Sequence, residues 1–170
     1  MKRVPIRILI EGGLAVALGI VLGMVSIFQM PQGGNISLAI LPLLLFTMRN
    51  GWKGGVLAGL VYGILSFLLG GGSFSVHPLS ILLDYLVPGA ILGFMSEKRW
   101  PAKLALISVL RFASYVTSGA IVFASYAGSQ NPWTYSIIYN ATYLIPEMLL
   151  MALILFLLGM NPQSRRLFHR

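Results

Sequence analysis

The sequence predicts an all-α integral membrane protein with six transmembrane helices and both termini in the cytoplasm. Hydrophobic residues make up 57% of the chain and charged residues only 9%, whereas an ordinary soluble domain is about 25% charged. Apolar runs recur at lengths close to the roughly 20 residues that a helix needs to cross the hydrocarbon core. Basic residues lie between or beside these runs, which is typical of cytoplasmic loops.

The apolar runs place helices at about residues 8–28, 36–49, 53–70, 79–96, 104–127 and 135–159. The first run is longer than the roughly 7–15 apolar residues of a cleavable signal peptide, and no A-x-A-like cleavage site follows it. The polar segments between the runs are only a few residues long. We therefore expect residues 1–170 to form one six-helix transmembrane domain.

The loops on the two sides of the predicted bundle differ in charge. "MRNGWKGG" and "SEKRWPAK" carry basic residues and are assigned to the cytoplasm, whereas "QMPQGGNIS", "GGGSFSVHP" and "GSQNPW" contain no Lys, Arg, Asp or Glu and are assigned outside. The outer loops are rich in Gly and Pro, which form turns, so each is either a short connector or a cover over a site. Candidate residues for a lid or pocket rim are Gly33, Gly34, Tyr62, His77 and Trp133.

Several functions are disfavoured by composition. The net charge of +8 is distributed as loop clusters, so we expect contact with the bilayer and no nucleic-acid partner. The absence of cysteine excludes disulfides and thiolate metal sites. No H-E-x-x-H motif, nucleophile elbow or phosphate-binding loop occurs, and His77 precedes Pro78 in an outer loop. We therefore expect no catalytic residues, no metal and no cofactor, and an enzyme is disfavoured.

Small residues form a stripe on the first predicted helix. Ala15, Gly19 and Gly23 are spaced four apart, and such residues let another helix approach closely in lipid. Two alternatives remain open for this stripe: packing within the bundle, or docking of another membrane subunit.

Three ionisable residues lie within the predicted spans, where charge is costly and usually functional. Asp84 lies about 8 Å below the outer start of its helix, and Asn140 lies at a similar depth on the last helix. Arg111 lies deeper, toward the cytoplasmic side, so Glu147 is its expected partner. The alternative is that Asp84 pairs with Arg111 and that the nearby aromatic residues belong to the bilayer interface.

Asp84 shares its predicted depth with several aromatic side chains. A carboxylate in a low dielectric needs a cation or several hydrogen-bond donors, and aromatic faces attract cations and stack on flat rings. Glycine lets a flat ligand approach the backbone. We therefore expect a pocket for a flat, cationic, hydrogen-bonding molecule, and the candidate binding residues are Asp84, Tyr85, Tyr115, Gly119, Phe123, Tyr135 and Asn140.

Four segments resemble the thiamine-specific S components of energy-coupling factor transporters. They are "QMPQGGNISLAILPLLLF", "HPLSILLDYLV", "LRFASYVTSGAIVF" and "PWTYSIIYNATYLIP", in this order, and the resemblance covers nearly the whole chain. It implies a six-helix S-component fold with a thiamine pocket near the outer face, capped by the loop between the first two helices. It also implies a second membrane subunit and two cytoplasmic ATPases, with the S component toppling to carry thiamine inward.

The resemblance also implies roles for particular residues. Asp84 and Tyr85, Gly119, Tyr135 and Asn140 fall on family binding positions, with Phe123 as an aromatic ring contact; Ala15 and Gly19 fall on the helix that contacts the partner subunit. Two positions depart from the family. Some members carry Glu where this chain has Asp84, and the family usually has His at the position of Tyr115.

Thiamine capture is therefore the expected function, with ATP hydrolysis by partner subunits. One alternative is an S component for a related vitamin or a pyrimidine such as hydroxymethylpyrimidine, which has no thiazolium cation. Another is a membrane assembly protein without a transport role, which would bind none of these molecules.

Overall fold

In the computed structural model, the described residues, which are 5–70, 76–161 and 163, form six helices. They are α1 (Ile6–Met24), α2 (Leu41–Asn50), α3 (Trp52–Leu69), α4 (Pro78–Phe94), α5 (Trp100–Ile121) and α6 (Pro132–Met160). Helices α1, α3, α5 and α6 are long and apolar enough to cross a membrane, whereas α4 and α2 are shorter. The six-helix prediction is confirmed. The terminal basic residues Lys2, Arg3, Arg165, Arg166 and Arg170 and the outer-loop residues 71–75 lie outside the described residues.

The segment between α1 and α2 differs most from the prediction. The sequence predicts helix as far as residue 28 and again from residue 36, but Phe28–Gln29 (β1) pairs antiparallel with Asn35–Ile36 (β2). Gly33 and Gly34, in the turn between the strands, have φ values of 87° and 81°, which glycine adopts without steric cost. The "PQGG" sequence thus forms a hairpin turn, and both predicted helix bounds are wrong here.

The connection between α5 and α6 also corrects the prediction. Helix α5 ends at Ile121, and a short 3₁₀-helix covers Ala124–Ala127, so Phe123 lies in a turn instead of on the helix where the sequence places it. Helix α6 begins at Pro132, where the side chain of Asn131 accepts hydrogen bonds from the first-turn N–H groups. Pro at the first helical position and Asn at the N-cap are favourable for a helix start.

The apolar core lies toward the predicted cytoplasmic side. Leu44, Leu92, Ile107, Met151 and Leu155 are almost completely buried and belong to one cluster. They come from the middle of α2 and from the inner halves of α4, α5 and α6. Because the apolar packing is concentrated there, the outer half of the bundle has room for a cavity.

The small residues of α1 pack inside the bundle. Ala15 and Gly19 are buried, and a Cβ added at Gly19 would lie 2.8 Å from the carbonyl oxygen of Ala39. A Cβ added at Gly23 would lie 3.8 Å from the Tyr62 hydroxyl. This arrangement supports internal packing for the stripe, since docking of a partner would need these residues at the surface.

Helices α3 and α4 approach each other most closely at a pair of glycines. A Cβ on Gly59 would overlap the carbonyl oxygen of Gly89, and a Cβ on Gly89 would overlap that of Gly59. The two backbones therefore touch, as small residues allow between membrane helices. This contact fixes the position of α4 relative to α3, and hence the position of Asp84.

We expect Gly59→Ala to lower the melting temperature of the detergent-solubilised protein, because its methyl group would force α3 and α4 apart. Overpacking of this kind costs about 1–3 kcal/mol. Gly13→Ala in α1 is a matched control, since a Cβ there meets nothing within 4 Å and Ala favours helix over Gly. An unchanged melting temperature for Gly59→Ala would contradict the close approach.

Candidate ligand-binding cavity

A cavity of about 420 Å³ lies in the outer half of the bundle, within the size range of small-molecule sites. Its walls come from the hairpin, α1 and α3–α6. All of the predicted binding residues line it, namely Asp84, Tyr85, Tyr115, Gly119, Phe123, Tyr135 and Asn140. Of the predicted rim residues, Gly33, Gly34 and Tyr62 line it as well. The structure thus brings residues of separate helices to one place.

Two predicted rim residues lie elsewhere. His77 is the N-cap of α4, where its Nδ1 accepts a hydrogen bond of 3.2 Å from the Leu79 N–H. Trp133 lies in the first turn of α6, and 49% of its surface is exposed. Neither is among the described residues that line the cavity, so the structure does not bring these two together with the other rim candidates.

Asp84 is carried by an unusual stretch of α4. Residues Ile81–Leu86 are wound as a π-helix, a wider turn that is frequent at functional sites. Ser118 donates a hydrogen bond of 2.7 Å to Asp84 Oδ2, and Ser114 donates one of 2.6 Å to the Leu83 carbonyl oxygen. Two serines one turn apart on α5 therefore hold the backbone and the carboxylate of this stretch.

Arg111 and Glu147 form an ion pair in the cavity wall. Arg111 Nη1 donates to Glu147 Oε2 at 2.8 Å, and the two side chains are only 8% and 6% exposed. Arg111 Nη2 also donates to the Tyr115 hydroxyl at 3.3 Å. The predicted Arg111–Glu147 pair is confirmed, and the alternative in which Arg111 neutralises Asp84 is wrong.

Aromatic rings form much of the remaining wall. Tyr135 and Tyr139 stack with their ring centroids 5.9 Å apart. Phe123 stacks on Tyr126 at 5.8 Å with only 8° between the ring planes. Such faces can stack on a flat ring and attract a cation. Together with the Asp84 carboxylate, they make the wall suited to a cationic aromatic molecule.

Gly119 and Asn140 take part in a buried contact between α5 and α6. Ser136 is almost fully buried and donates a hydrogen bond of 2.9 Å to the Val116 carbonyl oxygen, and a Cβ on Gly119 would overlap its Oγ. Asn140 Nδ2 donates to the Ser136 carbonyl oxygen at 2.8 Å, while its Oδ1 accepts a hydrogen bond of 2.6 Å from the Tyr143 hydroxyl. Gly119 lines the cavity, but the space beside its Cα is used for helix packing.

Sequence reasoning missed Ser118, Ser136 and the hydroxyl of Tyr139. The first two are small polar residues in apolar helices, and such residues often bond across helix interfaces. That signal could have found the two serines. Tyr139 hydrogen-bonds to a hairpin more than a hundred residues earlier, and nothing in its local sequence indicates that contact.

A six-helix membrane bundle with an acidic, aromatic cavity in its outer half has the architecture of a substrate-binding membrane protein. The profile of the family described as "Thiamine transporter protein (Thia_YuaJ)" matches residues 9–167. The chain therefore belongs to this family, which confirms the resemblance to thiamine-specific S components. It is a multi-pass transport protein of the cell membrane and not an enzyme.

Individual relatives agree with this membership. A protein named thiamine transporter ThiT from Bacillus subtilis is 40% identical over 175 residues, covering 92% of this chain and 90% of its own. A ThiT of Lacticaseibacillus paracasei is 28% identical over 152 residues, covering 76% of this chain and 75% of its own. The solved structure of ThiT from Listeria monocytogenes matches with a TM-score of 0.84 at 20% identity, over 97% of this chain and 98% of that chain, and so has the same fold.

Proposed function

We propose that this chain is the substrate-capture subunit of an energy-coupling factor importer and that it binds thiamine in the cavity described above. The observation that carries the proposal is the position of Asp84 in an aromatic wall, with Arg111 already paired to Glu147. A carboxylate in that setting favours a cationic ligand. The relatives named as thiamine transporters support thiamine as that ligand.

Each wall of the cavity has a proposed role. The Asp84 carboxylate offsets the thiazolium charge or accepts from the ligand's amino group. Phe123 stacks on a ring of the ligand, and Tyr135 and Asn140 hold its polar edge. Tyr85, Tyr115 and Gly119 complete the enclosure. Among the charged side chains of the cavity wall, Asp84 and Glu147 are negative and Arg111 is positive. Their excess of one negative charge matches a ligand with one positive charge.

Equilibrium binding of radiolabelled thiamine to the purified, detergent-solubilised protein tests the proposal. Micromolar or tighter binding, displaced by unlabelled thiamine, is the expected result. An absence of saturable binding would remove thiamine as the ligand, while the fold and the family would stand.

A pyrimidine precursor is the second candidate ligand, and Tyr115 is the observation that favours it. Its hydroxyl accepts a hydrogen bond from Arg111, whereas the resemblance implies His at this position. Since hydroxymethylpyrimidine has no thiazolium, it lacks the charge–charge attraction to Asp84 and can only donate a hydrogen bond to it from its amino group. Competition against bound thiamine distinguishes the two, because a precursor that displaces thiamine at equal concentration would be the better ligand.

We expect Tyr115→His to leave thiamine affinity equal or increase it, because His restores the family pattern at this position. Tyr donates or accepts through a single hydroxyl, whereas a neutral His has one donor and one acceptor nitrogen. Titration of the variant with thiamine measures the effect. A loss of binding by tenfold or more would mean that Tyr115 is itself required and that this cavity recognises its ligand differently from the family.

Energy for uptake is proposed to come from a second membrane subunit and two cytoplasmic ATPases. The S-component resemblance supports these partners. Proteoliposomes that contain this chain alone should bind thiamine without accumulating it. Proteoliposomes that also contain the three partner subunits, with ATP enclosed in their lumen, should accumulate thiamine. Accumulation by the chain alone would contradict the proposed division of labour.

A further inference from the structure

The tip of the hairpin between α1 and α2 is tied to α6 by the hydroxyl group of Tyr139, and Thr142 Oγ1 adds a longer contact of 3.7 Å to the Met30 sulfur. The Gln32 N–H donates to Tyr139 Oη at 3.0 Å, and the same hydroxyl donates to the Gly33 carbonyl oxygen at 2.7 Å. One side chain therefore satisfies both a backbone donor and a backbone acceptor at the tip of the hairpin. Such groups need partners wherever they leave water.

The hairpin tip is part of the cavity wall. Gln32, Gly33 and Gly34 line the cavity, and the turn is closed by a hydrogen bond of 2.9 Å from the Met30 N–H to the Gly34 carbonyl oxygen. Gly34 lies flat against Tyr143, since a Cβ there would be 2.7 Å from that ring. The tip therefore meets α6 by packing at Gly34 and by hydrogen bonding at Gln32 and Gly33.

The attachment is separable from the aromatic wall. Tyr139 stacks on Tyr135 at 5.9 Å and meets Tyr143 edge to face at 6.2 Å. Those contacts use the ring, whereas the hairpin is held by the hydroxyl. Removing the oxygen alone would break both backbone hydrogen bonds of the tip and leave the ring in place.

We propose that Tyr139 is a positioning residue that holds the hairpin tip closed over the cavity. The hydroxyl fixes Gln32 and Gly33, and rupture of its hydrogen bonds lets the tip swing away and opens the cavity to the outside. Retention of thiamine by this closure rests on the proposed function, whereas the closure itself does not depend on which molecule the cavity holds.

The test uses the fact that the chain has no cysteine. Gln32→Cys places a single thiol at the half-buried tip and keeps the backbone N–H. The rate at which a membrane-impermeant maleimide labels this thiol reports opening, and it is measured without ligand. Adding Tyr139→Phe should raise the rate threefold or more, as expected for the loss of about one net hydrogen bond.

Two controls make the result specific. Tyr126→Phe removes a hydroxyl from the same cavity and should leave the labelling rate of Gln32→Cys unchanged. Ser129→Cys, in the exposed loop before α6, should label at the same rate with and without Tyr139→Phe. An unchanged rate at position 32, or an equal rise at both thiols, would overturn the proposal.

Hydrogen exchange of the wild-type protein is the test if Tyr139→Phe does not fold. Slow exchange of the Gln32 amide would support the proposal, and fast exchange would overturn it.

Thiamine separates this inference from the proposed function. In Tyr139→Phe, bound thiamine should dissociate several-fold faster, because the tip is no longer held over the occupied cavity. Its association should quicken by no more than the labelling rate does, since both need the tip to open. Unchanged dissociation beside faster labelling would overturn the retention role. If wild type binds no thiamine, the proposed function fails, and the closure is judged by the ligand-free labelling alone.

Discussion

Asp84→Asn is expected to weaken thiamine binding by more than tenfold, which corresponds to about 1.4 kcal/mol. The substitution removes the carboxylate charge opposite the cation while keeping an oxygen that accepts from Ser118, which lies 2.7 Å from the carboxylate. Charged hydrogen bonds and ion pairs in a low dielectric are stronger than neutral ones. Isothermal titration of thiamine into the purified variant measures the loss.

Asp84→Glu is the matched control for this prediction. It keeps the charge on a longer arm, and the family resemblance implies that Glu is tolerated at this position, so thiamine affinity should stay within a few-fold of wild type. The melting temperature of ligand-free Asp84→Asn should not fall, because the buried charge is removed and its partner is kept. Full affinity in Asp84→Asn would show that the carboxylate does not face the cation.

The sequence predicted the site better than it predicted the loops. Helix length and the rise of about 1.5 Å per residue were sufficient to predict that Asp84 and Asn140 share a site and that Arg111 pairs with Glu147, and the structure has both residues in one cavity wall and the ion pair in place. The charges of the loops likewise predicted which loops lie outside the cell. These inferences need only local geometry, and local geometry is encoded in the run of residues itself.

The hairpin and the π-helical stretch could not be found by the same reasoning. The strand pair has only two residues on each side, too few to show the alternation that identifies a strand. Within the π-helical stretch Ile81–Leu86, the Leu83 carbonyl oxygen accepts a hydrogen bond from Ser114 on another helix. Contacts between distant segments select both features, and hydropathy carries no information about them.

Glu147→Gln is expected to lower the free energy of unfolding by about 3–5 kcal/mol. Arg111 would keep its charge in a site where only 8% of the side chain is exposed, with a neutral amide and the Tyr115 hydroxyl as partners. A buried ion that loses its counter-ion is far less stable than the intact pair. Thermal unfolding in detergent, followed by circular dichroism, measures the change.

The double variant Arg111→Gln, Glu147→Gln shows whether the loss comes from the charge. It has no buried ion to stabilise, so much of the stability lost in the single variant should return. Replacing a whole buried pair is often neutral. A double variant as unstable as Glu147→Gln would mean that packing at position 147, and not the unpaired guanidinium, determines the loss. Recovery would show that the cavity wall tolerates a neutral pair. In that variant Asp84 is the one charged side chain left among the described residues that line the cavity.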